Sequence, residues 1–582
     1  MFTSTSLKAR RARFLNLWHA RAATCGAAPP TGFVSMPEPR TIGSPARGAQ
    51  LLAGDYRFAG LRIETPDTSL WALTPPSPAY AAELHGFAWL DDLAALGSAA
   101  SRKRAQRWLW EWTETYGRGE GPGWTPDLTG RRLMRWINHA AFLLRGRGDT
   151  AREAFYRSLQ QQTRFLARRW HGAAPGLARF EALGGLICAG LSLEGRGALA
   201  DPAIRALAQE CDRLIDDEGG LPTRNPEELL SVLTLLTSAA AALSDAGRGT
   251  PAALLDAIER IAPTLRSLRH ADGGLARFHG GGRGAEGWLD QALAAARVRK
   301  GRPDGLAMGY ARLSAGRSSV IVDAATPPIG VGSGNAHAST LAFELTSGRR
   351  SLVVSCGSGA SFGAAWRRAG RATPSHSTLI LGQRSSARLA DPDPKTGIEA
   401  LVEGPRHVPV ELSPERGGRR FQGGHDGYVP SHGLTHARTL DLTLDGRGLF
   451  GEDMLLALTD AQKRRFDAAR DSADPAGTSF EIRFHLHPEV AVTLDPDDDA
   501  VSLMLRSGEI WMFRHDGTRN LALEPSVYLD STRPEPRATQ QIVLFGEALT
   551  YASRVRWSLS KAQETAIGVR DLFRDDPFPA DD

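Results

Sequence analysis

Apolar residues recur with two different periods along the chain. Between about residue 85 and residue 300 they fall at i, i+3, i+4 and i+7, the spacing that lines one face of an α-helix. The segments 102–116, 131–144, 150–170, 181–193, 203–214, 227–243 and 252–268 each read this way. Gly- and Pro-rich clusters such as GRGEGPG, HGAAPG and GRGALADP separate them and punctuate the helices. Helices of this length with short links pack as antiparallel pairs. They carry no fixed repeat period, so a consensus solenoid is not predicted.

After Gly309 the period falls to two. Residues 311–315 and 318–325, joined by Gly316-Arg317, predict a hairpin, and 341–345 with 351–355 predict a second. Further strands are expected at 377–381, 439–444, 480–487, 501–505, 510–513 and 541–545. Short alternating strands with polar turns predict an antiparallel β-sandwich. Helices first and strands second give an α+β multidomain layout. The expected divisions are an N-terminal extension at 1–80, a helical domain at 81–304, a sandwich at 305–570 and a tail at 571–582.

Composition narrows the function classes. At roughly 150 residues per domain, 582 residues require more than one core. Apolar residues at 42% and charged residues at 23% describe a folded chain, not a disordered or fibrous one. The formal charge of +5 arises from 70 basic and 65 acidic residues, too balanced for a dedicated nucleic-acid binder. Six of the basic residues are Lys, so Arg dominates, and Arg meets carboxylate or sulfate in bidentate fashion. Cys25, Cys188, Cys211 and Cys356 are widely spaced, which argues against a disulfide framework or zinc ribbon. No run of 18 apolar residues predicts a transmembrane span. Residues 1–28 are basic, with Lys8, Arg10, Arg11, Arg13 and Arg21, and lack the apolar core of a secretory signal. Leu7, Phe14, Leu15, Leu17 and Trp18 form one face of a helix there, suited to packing on the domain or to a membrane surface. Trp89, Trp108, Trp110, Trp112, Trp124 and Trp136 fit either a helix-bundle core or an aromatic groove for sugar rings.

Four segments carry a family resemblance. SGNAHASTLAFELTSGRRSLVVSCGSG (333–359) and WRRAGRATPSHSTLILGQRSSARL (366–389) resemble the opening strands of the C-terminal domain of heparinase II/III-like proteins. LARFEALGGLICAGLSLEG (177–195) and DEGGLPTRNPEELLSVLTLL (217–236) resemble two helices of the same family's helical domain. The resemblance implies an N-terminal incomplete (α/α) toroid and a C-terminal antiparallel β-sandwich, with a substrate cleft between them. It also implies a polysaccharide lyase cleaving beside a uronic acid by β-elimination. That chemistry needs a group to neutralise the uronate carboxylate, a base for the C5 proton and an acid for the leaving oxygen.

The chain departs from the family at the residues that supply these groups. The toroid Asn-His falls on Leu177-Ala178, the toroid Tyr on Glu228 and the first sandwich His on Asn335. His337 and His376 are kept, and with Tyr428 and Glu228 they are the expected catalytic residues. Arg224, Asn225, Asn335, Arg371 and Glu181 are the expected substrate-binding residues, with Arg131, Arg132, Arg349 and Arg368 as further anion partners. In metal-binding relatives the two histidines and an Asp hold a structural zinc. That Asp falls on Ser355, with Cys356 beside it, so His337, His376 and Cys356 form the candidate zinc set. His425, Asp426, Tyr428, His432, His436, Glu452, Asp453, His485 and His487 make a second His-rich cluster for acid–base work.

The resemblance therefore implies a carbon–oxygen lyase acting on an acidic polysaccharide. Its rival is a catalytically degenerate polysaccharide-binding or scaffold protein of exopolysaccharide or envelope metabolism. A glycoside hydrolase using Glu181 and Glu228 is a third reading. An acidic polysaccharide is the expected partner, nucleic acid is not, and a homodimer is left open. Relatives point to the cell envelope or periplasm, while the N-terminus leaves the cytoplasm open.

Overall fold

The structure is a computed structural model that describes residues 4–562, apart from the short stretches 26–27, 67, 302–304, 394–398, 416, 472–477, 496–499, 518–519, 532 and 534. The expected tail at 571–582 lies outside the described residues. The chain forms two compact units. The first holds Met1–Leu221, Glu228–Pro263 and Ala285–Gly301, and the second holds Pro222–Glu227, Thr264–Gly284 and Arg302–Asp582. Two segments from within the helical stretch thus count with the strand unit.

The first unit is helical. Its centre is the helix Leu177–Ser192, buried from Phe180 onward. It lies against Pro126–Asn138, which starts on a proline at the position where the missing N–H costs nothing. The two helices meet backbone to backbone. A Cβ on Gly185 would fall 2.4 Å from Gly130 Cα, so only paired glycines permit this approach. The aromatic cluster is core, with Trp89, Trp108, Trp112, Trp124 and Trp136 all at most 3% exposed. Arg132 is buried among them, its guanidinium 4.2 Å from the Trp112 ring centroid and bonded to Gln162 Oε1, His85 O and Gly123 O. It braces the core.

The helix Pro226–Asp245 is long and apolar enough to cross a membrane by length and composition alone. In the helical unit it is a core helix, with Leu229, Leu230, Val232, Leu233 and Leu236 fully buried. The basic N-terminal segment forms the helix Ser4–Ala22. Its end docks through buried Ala20, through Gln161 donating to Ala20 O, and through Arg169 donating to Asn16 Oδ1. Phe14 and Trp18 stay exposed.

The second unit is an antiparallel β-sandwich of two eight-stranded sheets. In the first sheet the spatial order is Val410–Glu415, Gly418–His425, Thr435–Thr443, Gly448–Leu456, Ala552–Lys561, Ile510–His515, Ala500–Met504 and Ala491–Leu494. The second runs Asn520–Tyr528, Arg537–Glu547, Ser479–Leu486, Arg350–Val354, Phe343–Ser347, Ser318–Asp323 and Tyr310–Ala315, with Leu379–Leu381 also on Ser479–Leu486. Side chains alternate, so one face of each sheet turns inward. Phe343 and Phe484 from one sheet pack on Trp557 from the other, with ring centroids 5.6 and 4.7 Å apart.

The two expected hairpins form, the first as Tyr310–Ala315 with Ser318–Asp323. The second pairs Phe343–Ser347 with Arg350–Val354, around a bulge at Leu345/Thr346. Among the described residues, six strands of these two sheets were not expected from the sequence: Val410–Glu415, Gly418–His425, Gly448–Leu456, Ala491–Leu494, Asn520–Tyr528 and Ala552–Lys561. Gly418–His425 reads GRRFQGGH, in which glycines and arginines mask the period of two.

Candidate functional site

Three histidines meet inside the strand unit. His337 follows the short turn Gly330–Asn335, and His376 follows the turn Thr373–Ser375. His279 lies in the Phe278–Gly282 loop, whose sequence gave no sign of it. The ring centroids of His337 lie 5.1 Å from His376 and 5.9 Å from His279, and all three rings are buried. Gly280 N–H donates to His337 Nε2 at 2.9 Å, which places the proton on Nδ1. The His337 N–H donates to His279 Nδ1 at 3.0 Å, and His279 Nε2 faces Asp323 Oδ2 at 3.3 Å. His376 Nδ1 meets Ser355 Oγ at 3.1 Å. Among the described residues, His337 Nδ1 and His376 Nε2 have no hydrogen-bond partner. Burial, and then the neighbouring His376, holds His337 well below the ordinary imidazole range. Burial, and then His485, brings His376 down to about 3. Both rings are neutral at neutral pH.

Asp323 anchors this cluster. It accepts from Arg224 Nη2 at 2.6 Å and from Ser339 Oγ at 2.6 Å. Burial would raise its carboxyl, but Arg224 and His279 outweigh that and hold it below the carboxylate range. The other donors of Arg224 go to the carbonyls of Met308, Gly309, Ala325 and Thr326. Arg371 is spent in the same way, on the carbonyls of Ala336, Glu399 and Ser333. Both arginines, expected to hold an anionic sugar, tie loops of the sandwich together. Asn225 Oδ1 accepts from Glu227 N–H. Asn335 is exposed, and its Oδ1 accepts from Arg367 at 3.1 Å.

The candidate zinc set does not fit a metal. Ser355 supplies a neutral hydroxyl where a hard anionic ligand is needed. Cys356 Sγ instead faces His485 Nδ1 at 3.5 Å and Ser526 Oγ at 3.9 Å. Among the described residues no group of three or more His, Cys, Asp and Glu side chains is placed to hold a metal ion.

Tyr428 belongs to another buried cluster. Its hydroxyl donates to Leu379 O at 2.8 Å, and burial pushes its phenol far above the ordinary value. Its ring lies 5.4 Å from His425. His425 Nε2 meets His436 Nδ1 at 3.2 Å, and His436 Nε2 meets Asp453 Oδ1 at 2.7 Å. Asp453 also accepts from Arg438 and from Trp557 Nε1. The sequence marked these residues, with His432, Glu452, His485 and His487, as one cluster for acid–base work. The structure bonds His425, Tyr428, His436 and Asp453 internally, leaves Glu452 accepting from Arg556, and sets His485 on the other sheet against Cys356 and Ser526. Asp426 caps the loop before it, accepting from the N–H groups of Arg406 and His407. In the helical unit, Glu181 pairs with Arg131 at 2.7 Å, and burial raises its carboxyl despite that cation. Glu228 lies in the first turn of Pro226–Asp245.

Comparison with known proteins bears on this geometry. The model of the family described as "Heparinase II/III-like, C-terminal" matches residues 297–558. FtsZ-localized protein C of Caulobacter vibrioides (strain NA1000 / CB15N) is 31% identical over 550 residues, covering 92% of this chain and 91% of that protein. A crystal structure of heparinase III superposes with a TM-score of 0.66 at 12% identity, covering 94% of this chain and 88% of that one. Heparan sulfate lyase HepC from Pedobacter heparinus superposes with a TM-score of 0.54 at 13% identity, covering 94% of this chain and 88% of that one. At such identities these structures establish the shared toroid-plus-sandwich fold.

Proposed function

The chain belongs to the heparinase II/III-like family, and from that membership we propose that it binds an acidic polysaccharide without cleaving it, as a scaffold in cell-envelope metabolism. One observation carries the reading: the phenol of Tyr428 is buried and bonded to Leu379 O. A general acid or base must reach the reacting atoms and hold a pKa near the working pH. Tyr428 does neither, and His376, brought down to about 3, is a weak base. Leu177 and Ala178 present no polar group that could neutralise a uronate carboxylate. The Caulobacter relative is named for where it localizes, not for a lyase activity, which supports the same reading.

A β-elimination reading keeps one specific support, the unpartnered nitrogens of His337 and His376. A single assay separates the two. The protein is incubated with a panel of uronate polysaccharides, and ultraviolet absorbance of unsaturated ends, new reducing ends and binding are each measured. Binding without either new end supports the scaffold. Absorbance that His337→Ala abolishes establishes elimination, and reducing ends without absorbance establish hydrolysis.

A further inference from the structure

We infer that the glycan lies in a groove of the helical unit, with Arg40, Arg297 and Arg299 taking its carboxylates; the inference rests on the binding reading above. The groove encloses about 1160 Å³, and all of its lining residues belong to the helical unit. It opens along the later half of Pro226–Asp245, from Leu235 to Asp245, and beside Gly184 and Cys188 of Leu177–Ser192. Leu177, Ala178 and Glu228, where the family's toroid residues would stand, lie at the other ends of these two helices. With a rise of about 1.5 Å per residue, the groove begins roughly 10 Å beyond Glu228 along the helix and extends to about 25 Å. It is a separate place from the family's catalytic positions.

Its volume has a cause in the sequence. Gly184 and the four alanines at 239–242 are among its lining residues, and their short side chains leave room in it. Arg40, Arg297 and Arg299 stand at the rim, and among the described residues none of the three makes an ion pair. A guanidinium fork matches a carboxylate in shape and charge. Arg297 caps the helix Trp288–Ala296 in the left-handed region at φ 54°, where glycine is the ordinary residue. Glu38, Asp245 and Glu259 share the rim, and their oxygens are acceptors for sugar hydroxyls. With Lys300 the groove is lined by four basic and three acidic residues, a balance that suits a ligand offering both carboxylates and hydroxyls.

The test uses the full chain and two probes, polygalacturonate and hyaluronate, titrated calorimetrically at low and at physiological salt. Replacing Arg40, Arg297 and Arg299 together by Ala is expected to weaken binding at least tenfold and to flatten its salt dependence. Ala240→Trp, which fills the groove and changes no charge, is expected to weaken binding as much. Replacing exposed Arg10, Arg11 and Arg13 by Ala serves as the charge control and is expected to leave affinity unchanged. If the chain binds the probes and both groove variants bind like wild type, the groove assignment is wrong and the scaffold reading stands. If the wild-type chain binds neither probe, the scaffold reading falls and takes the groove with it. Should the Arg triple variant fail to fold, Ala240→Trp alone decides.

Discussion

Arg438 and Asp453 sit opposite each other on neighbouring strands and form a two-point ion pair, Nε to Oδ1 at 2.8 Å and Nη2 to Oδ2 at 3.1 Å, with both side chains wholly buried. Arg438 Nη1 donates to Leu341 O and Ser377 O, in the turns that lead into the strands Phe343–Ser347 and Leu379–Leu381 of the other sheet. Removing one partner of such a pair strands a charge in a medium that cannot solvate it. Arg438→Leu is expected to cost about 3–5 kcal/mol of unfolding free energy, read from urea denaturation. A change under about 1 kcal/mol would mean that water reaches Asp453.

The buried histidines set the pH dependence of stability. His337, His376, His425 and His436 all lie below the ordinary value of 6.5, chiefly through burial. Below pH 6.5 the unfolded chain takes up protons at these sites and the folded chain does not. Stability therefore falls as the pH drops, by up to about 1.4 kcal/mol per pH unit for each site. Asp323 and Asp453, held below the carboxylate range, add a further loss below about pH 4, where the unfolded carboxylates protonate first. Urea midpoints at pH 7 and pH 5 should differ clearly. Equal midpoints would show that the imidazoles are not held neutral.

Gly185→Ala tests the helix contact at the centre of the first unit. The new methyl carbon would stand 2.4 Å from Gly130 Cα and 2.6 Å from Gly130 O, with backbone on both sides and nothing flexible to yield. Alanine favours a helix by about 1 kcal/mol over glycine. Overpacking opposes that gain with about 1–3 kcal/mol or more. A lowered melting temperature is expected. Gly197→Ala, where a methyl group meets open space, should leave it unchanged.

Tyr428→Phe separates a structural phenol from a chemical one. The change strands Leu379 O and should cost about 1–3 kcal/mol of stability. Polysaccharide binding should stay at the wild-type level. An ultraviolet-absorbing product made by the wild type and lost in Tyr428→Phe would restore the lyase reading.

Because Ser355 offers no anionic ligand and Cys356 is turned to His485, a chelator should not move the melting temperature, nor should added zinc. A chelator-induced drop, reversed by zinc and absent in His376→Ala, would contradict this.

The layout was legible because it depends on periodicity. The first hairpin follows from alternating residues around Gly316-Arg317, and the helices follow from their apolar faces. The site was less legible because the same residue types serve two ends. Arg224 and Arg371 sit in family-like motifs, yet only the fold shows their donors ending on backbone carbonyls. His279 and Asp323, which hold His337 in place, lie 44 residues apart in segments with no motif. The groove escaped notice for the opposite reason, since a run of alanines reads as ordinary helix until the space above it is seen.

The strand Ala552–Lys561 lies between Gly448–Leu456 and Ile510–His515, in the middle of its sheet although it is the last described strand along the chain. During synthesis that sheet therefore exists as two halves with unsatisfied inner edges until this segment leaves the ribosome. Such long-range closure slows folding and exposes edges that invite association with other chains. The nascent sandwich is at its most vulnerable when nearly finished, so shortened versions ending ahead of Ala552 should accumulate as aggregates, not as partly active domains.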